Sequence, residues 1–199
     1  MDVKAFSRER ARPLTPDDRR EAILDAVEPL LREHGRDVSS RQLAEAAGVA
    51  EGTLFRAFGD KESIIAAAVE RIRDPEPLRN ALRAIDPDEP TEQKVRQVLT
   101  LLSERFEHVM RFMIALRTQG PPPSGPRPDD VEWLGILDQV FRPGELAVPA
   151  AELGHYLRML AFGSAIPLFS AAHPTDVNHL ADIVLHGVLP ASPPTGKKN

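Results

Sequence analysis

Cysteine is absent from the 199 residues, which removes disulfide frameworks, Cys-ligated zinc, thiol nucleophiles and redox switching together and suits a reducing compartment. Positive charge is not in excess either: 25 Lys and Arg stand against 30 Asp and Glu, a net charge of −5. Any surface for nucleic acid must therefore be local. Long hydrophobic runs are also missing. The longest uncharged stretch, residues 159–175, is broken by Gly163, Pro167 and polar residues, and falls short of the roughly 18 to 20 apolar residues a spanning helix needs. No membrane partner is expected. The first fourteen residues carry Arg8, Arg10 and Arg12 and no apolar centre of a secretory signal, so the expected location is cytoplasmic. Serine-elbow, P-loop and dinucleotide fingerprints are lacking, so neither enzymatic activity nor a cofactor is expected. None of the six histidines pairs with another at the i, i+4 spacing of a helical zinc site, and no metal is expected.

What is present is a 42% apolar, 28% charged chain, enough for one domain of ordinary size and a small second one. Proline divides it unevenly: only Pro13, Pro16 and Pro29 precede residue 74, and sixteen follow. The expected organisation is an arm of mixed charge over 1–14, a first domain over 15–74, a second over 75–189 and a disordered tail over 190–199. Apolar residues recur at three and four, as in Ile23, Val27, Leu30 and Leu31, then Val95, Val98, Leu99 and Leu102. The pattern predicts an all-α fold without sheet.

Punctuation in the first domain is dense. Thr15-Pro16-Asp17-Asp18 supplies a hydroxyl cap, a proline where its missing N–H costs nothing, and carboxylates at the positive end of a helix that Gly35 ends. Pro29 predicts a kink in that helix between Asp25 and Pro29. Ser39 and Gln42 have capping-box spacing, and Val38 and Leu43 that of a hydrophobic staple, opening a short helix over Ser40 to Ala47. Gly48 is suited to the positive φ that closes it. A second short segment, Glu51 to Phe58, follows, then Gly59-Asp60 and a further helix. Short helix, glycine turn, short helix is helix-turn-helix punctuation. Leu43, Ala47, Val49, Leu54 and Phe58 are placed to pack the two short helices at a fixed angle.

The stretch Ser39 to Ile65, SSRQLAEAAGVAEGTLFRAFGDKESII, resembles the DNA-binding signature of the tetracycline-repressor (TetR-type) family of bacterial regulators. An AxxAGV turn, a GTLF step followed by Phe58, and a lysine after the Asp60 cap stand in register, and Arg20, Ile23 and Leu24 also fit. The resemblance covers about residues 15 to 72. It implies an amino-terminal three-helix DNA-binding domain whose second short helix enters the major groove, joined to a helical ligand-binding and dimerisation domain. By resemblance Arg41 is a base reader, suited to bidentate recognition of guanine. Ser39, Ser40, Thr53 and Lys61 match phosphate contacts, and Glu51, Gly52, Phe55 and Arg56 lie on the helix offered to DNA. Three departures stand out: Phe55 where the family usually has tyrosine, Ala57 where an aromatic or histidine is common, and Ala50 where a hydroxyl usually caps the recognition helix. Residues 1–73 carry 13 basic and 14 acidic side chains, so the Arg8, Arg10 and Arg12 arm is a candidate source of extra attraction.

Beyond residue 74 the breaks predict helices over Leu78 to Ile85, Thr91 to about Thr118, one through Trp133, Leu137 and Phe141, and a last pair over Pro149 to about Ala171 and Thr175 to Leu189. In the family the middle helices enclose an effector cavity. Phe106, Met110, Met113 and Trp133 are its candidate lining here, suited to a small apolar effector. Arg117, on the same helix, would either meet a carboxylate or favour the helix dipole. The last pair presents Leu153, Tyr156, Leu157 and Leu160, then Val177, Leu180, Val184 and Val188, as stripes that pack within the chain or bury against a second copy, as in the family. Pro167 should kink or shorten the first of the pair. The expected function is a homodimeric, ligand-responsive repressor on a pseudopalindromic double-stranded DNA operator. The alternatives are a helical interaction module with a vestigial DNA-binding head, and a helical enzyme.

Overall fold

The computed structural model describes residues 15–117, 128–167 and 176–187; expectations for the arm, for most of the proline-rich loop, for Val188 and for the tail fall outside them. Every regular element among the described residues is helical, as the apolar spacing predicts. The order is α1 (Pro16–His34), a 3-10 turn (Gly35–Asp37), α2 (Ser40–Ala46), α3 (Glu51–Phe58), α4 (Lys61–Arg73), α5 (Glu76–Arg83), α6 (Thr91–Ala115), α7 (Pro128–Val140), α8 (Ala150–Ala165) and α9 (Val177–His186). These form two compact units. One contains the chain up to Ile72 together with Ala115–Arg117; the other contains Arg73–Ile114 and the chain from Thr118 onward.

In the first unit α1 opens on the expected capping box, with the Asp18 N–H donating to Thr15 Oγ1 at 3.1 Å and the Thr15 N–H to Asp18 Oδ2 at 3.2 Å. It then runs through Pro29 as one helix. Pro29 is exposed, so the Asp25 carbonyl it frees lies on a solvated side, and the Arg71 guanidinium holds the Asp25 carboxylate and the Glu21 carbonyl alongside. Ile23, Leu24, Val27 and Leu31 form the buried stripe of α1, against Val38, Leu43, Ala44, Leu54, Phe58, Ile64, Ile65, Ala68 and Ile72. At the end of α1, buried Gly35 has φ +59°, and a Cβ there would overlap the Ala115 carbonyl oxygen. Only glycine fits, for conformation and space alike.

In the second unit Leu82, Val95, Val98, Leu99, Leu102, Trp133, Leu137, Phe141, Leu153, Leu157 and Ala181 share one core. Gly154 of α8 is the close-approach point: a Cβ there would strike Leu137 and lie 3.4 Å from the Trp133 ring. Fully buried Lys94 donates to the Pro87 and Val140 carbonyls, each at 3.0 Å, and to Glu145 Oε2 at 2.6 Å. All three ammonium protons are thereby used, one of them on the carboxyl end of α7. Arg79 and Arg83 of α5 both pair with Glu132 of α7, Arg79 at 3.0 Å.

Several boundaries differ from expectation. α6 ends at Ala115, and Arg117, at φ +49°, lies beyond it and turns back to Asp37 at 3.4 Å. α8 stops at Ala165 because Ile166 is extended (φ −86°, ψ 119°), as a residue before proline prefers to be. Pro167 thus shortens the helix.

Candidate nucleic-acid interface

The site begins with the turn between α2 and α3. Ala47 ends α2 in helical geometry, Gly48 takes φ +64°, and the Gly48 and Val49 N–H groups donate to the Glu45 and Ala44 carbonyls at 3.1 and 3.0 Å. These two reversed bonds form a Schellman motif, which satisfies the last carbonyls of α2 and turns the chain sharply into α3. Leu54 and Phe58, one turn apart, anchor α3 at 0% and 8% exposure. Helical periodicity puts Gly52 and Arg56 on the opposite side, where both are exposed. No atom stands within 4 Å of a Cβ built at Gly52. The outer side of α3 is therefore bare backbone followed one turn later by a guanidinium.

Around it the sequence-derived residues sort themselves by what already occupies them. Arg41 projects from the first turn of α2 and is exposed. Neither Arg41 nor Arg56 has an ion-pair partner among the described residues, so both guanidinium groups remain available to a ligand. Ser39 is committed: its hydroxyl donates to Gln42 Oε1 at 2.8 Å and accepts the Gln42 N–H at 3.3 Å in a complete capping box. That leaves Ser40, half-buried, in the first turn of α2. Val38, the staple residue before the cap, is 1% exposed and Leu43 is 0% exposed. Thr53 and Phe55 are half-buried and Glu51 is exposed.

Lys61, expected at phosphate, reaches back to the turn ahead of α2 and donates to the Arg36 and Val38 carbonyls at 3.0 and 3.2 Å. Two of its three donors tie the start of α4 to the start of α2; one remains. The neighbouring Asp60 caps α4 as expected, its carboxyl held below the ordinary range by the Ser63 backbone N–H at 2.7 Å. Ala50, as its side chain dictates, gives α3 no side-chain cap. Sequence reasoning placed Arg20 within the family signature but gave it no role; its guanidinium lies 4.4 Å from the centre of the Phe58 ring and donates to the Ala57 carbonyl. An arginine on an exposed face carries no sequence signal for such a reach.

In the second unit, Phe106 meets Phe162 edge-on at 5.5 Å, and Trp133 is buried against Gly154 with Arg158 6.0 Å from its ring. Met110 and Met113 are half-buried along α6. A recess of about 230 Å³ lies at the turn between α7 and α8, lined by Asp138, Phe141, Arg142 and Leu146 among others. On the stripes of the last pair, Leu153 and Leu157 are buried in the unit's own core. Tyr156 and Met159 are exposed at 47% and 52%, and Leu160, Val177, Leu180 and Val184 are half-buried. The outward apolar surface of α8 is thus carried by Tyr156 and Met159 rather than by the two leucines. Among the described residues no helix is long and apolar enough to cross a membrane.

Residues 23–68 match the family model described as bacterial regulatory proteins, tetR family. An uncharacterised HTH-type transcriptional regulator of Mycobacterium tuberculosis is 26% identical over 104 residues, which is 52% of this chain and 44% of the relative. The match thus spans under half of that relative's length. Among solved structures, the TetR-like transcriptional regulator LfrR of Mycobacterium smegmatis, determined with proflavine, superposes at a TM-score of 0.51 with 17% identity, over 89% of this chain and all of the other. A proposed fatty acid metabolism regulator of Clostridium perfringens gives 0.50 at 19% identity, over 85% of this chain and all of the other. These two share the fold.

Proposed function

Because residues 23–68 match the model of the tetR family of bacterial regulatory proteins, we propose that the chain is a homodimeric, ligand-responsive repressor that binds a pseudopalindromic operator through successive major grooves. The observation that carries the reading is α3 itself: Leu54 and Phe58 bolt one side to the core while Gly52 and Arg56 stand bare on the other, beside an unpaired Arg41. Arg41 and Arg56 read base edges, the N–H groups at the start of α2 and the last donor of Lys61 meet phosphates, and Glu51, Thr53 and Phe55 shape the contact. Ser39 supports this surface chiefly as the cap of α2. Residues 15–74 are the reading head and 75–189 the sensing and pairing domain.

The effector is a small apolar molecule held near Phe106, Met110, Met113 and Trp133; the Mycobacterium smegmatis neighbour was solved with proflavine. Its binding releases DNA only by favouring a state in which two heads are wrongly spaced, since a ligand with equal affinity for both states shifts nothing. Pairing uses the outward surface of α8 and α9, with Tyr156, Leu160, Val177, Leu180 and Val184 in contact and Leu153 and Leu157 backing them from within. The deciding test is retention of genomic duplex fragments by the full-length protein over a salt series. A regulator shows a slope of about −0.9 per phosphate neutralised. Absence of retention at low ionic strength would leave a helical interaction module in its place.

A further inference from the structure

We propose that Arg20 is a positioning residue for the reading helix, fixing the carboxyl end of α3 against α1 so that the outer side of α3 holds one orientation. The inference rests on the DNA-reading role given above to α3. With eight residues, α3 is too short to be stable alone. Its amino end lacks a side-chain cap, because Ala50 has no acceptor to offer. Its definition must come from its sides and its carboxyl end.

That end is where Arg20 acts. The guanidinium donates through Nη1 to the Ala57 carbonyl, one of the last-turn acceptors without an intrahelical donor, and places positive charge at the negative end of the helix dipole. The same plane lies 4.4 Å from the Phe58 ring centre, and Phe58 is the aromatic anchor of α3 in the core. One side chain thus grips the carbonyl of one residue and the ring of the next. Arg20 is itself aimed, since Ile23 and Leu24, three and four residues on, are buried and set the rotation of α1. Gly59, at φ +92°, breaks the chain directly after Phe58, so no continuing helix holds that end. Lysine carries the charge but neither the planar stack nor the forked donors.

Full-length Arg20→Met and Arg20→Lys proteins test this by amide hydrogen exchange, together with binding to a duplex that the wild-type protein enriches from a randomised library and to a scrambled duplex of equal composition. In Arg20→Met, amides of Leu54 to Phe58 should exchange about tenfold faster while those of Val27 to Leu31 and Ile64 to Ala68 stay within about twofold. Arg20→Lys should recover less than half of that protection. Discrimination between the two duplexes should fall about fivefold with the salt slope unchanged, because no phosphate contact is lost. Equal acceleration throughout the first unit would make Arg20 a general stabiliser and overturn the proposal. So would a slope smaller by about 0.9 with equal loss on both duplexes, the mark of a phosphate contact. If the wild-type protein enriches no duplex, the regulator reading fails separately, and the exchange measurement alone then decides the role of Arg20.

Discussion

Arg41 is the side chain on which the proposed base reading rests, because it is exposed and without an ion-pair partner among the described residues. Arg41→Ala should cost about 1 to 3 kcal/mol of operator binding and relax preference at one base pair, measured by titrating duplexes with single substitutions. A second residue-scale prediction concerns Lys94 and Glu145. The Lys94 ammonium holds the Glu145 carboxyl below its ordinary value of 4.5, with the Arg142 N–H assisting. A depressed folded value means stability that is present above the unfolded value and lost as pH falls through the folded one. Acid unfolding followed by circular dichroism should therefore steepen below about pH 4.5, and Glu145→Gln should flatten that limb. Lys94→Met, which leaves the Pro87 and Val140 carbonyls without this donor and takes the ammonium from Glu145, should cost about 3 kcal/mol in urea unfolding. Residues whose role is local were legible in the sequence: Thr15, Ser39, Gly48 and Asp60 each act within five positions of themselves. The contacts of Lys94, Lys61 and Arg20 were not, because they reach as far as 51 residues for Lys94, 25 for Lys61 and 37 for Arg20. Spacing along one helix says nothing about what such a side chain reaches.

At the scale of the element, α3 lacks the side-chain cap that its neighbours have, α2 with a full capping box and α4 with Asp60. Ala50→Ser should stabilise it by about 1 kcal/mol, seen as a higher thermal midpoint without loss of the fold. Helix existence and order followed from apolar spacing and punctuation throughout. α1 runs past Pro29 to Gly35 as one helix, as expected: a proline disrupts a helix only as far as the freed carbonyl lacks another partner, and Pro29 is exposed. The end of α8 was misplaced. Pro167 restrains Ile166 before it restrains anything later, so the helix closes ahead of the proline rather than bending through it.

At the scale of the whole molecule, the proposed pairing and sensing rest on surfaces that sequence periodicity only partly sorts. A stripe of leucines looks the same whether it faces its own core or a second copy, and Leu153 and Leu157 face their own. Tyr156, exposed at 47%, is the discriminating position: Tyr156→Arg should leave the thermal midpoint of the protomer nearly unchanged and convert a dimer to a monomer at micromolar concentration in sedimentation. α6 joins the two scales, since Thr91–Ala115 is one helix whose last residue belongs with the first unit. There it meets Gly35, and Gly35→Ala should cost about 3 kcal/mol through backbone strain and overlap. The absence of spare room at that seat makes position 35 an adjustable wedge. Alanine, serine and valine form a graded series of shims, each prising the last carbonyl of α6 from the end of α1 a little further, so that the tolerance of the first unit to such misfit becomes a quantity that unfolding can measure.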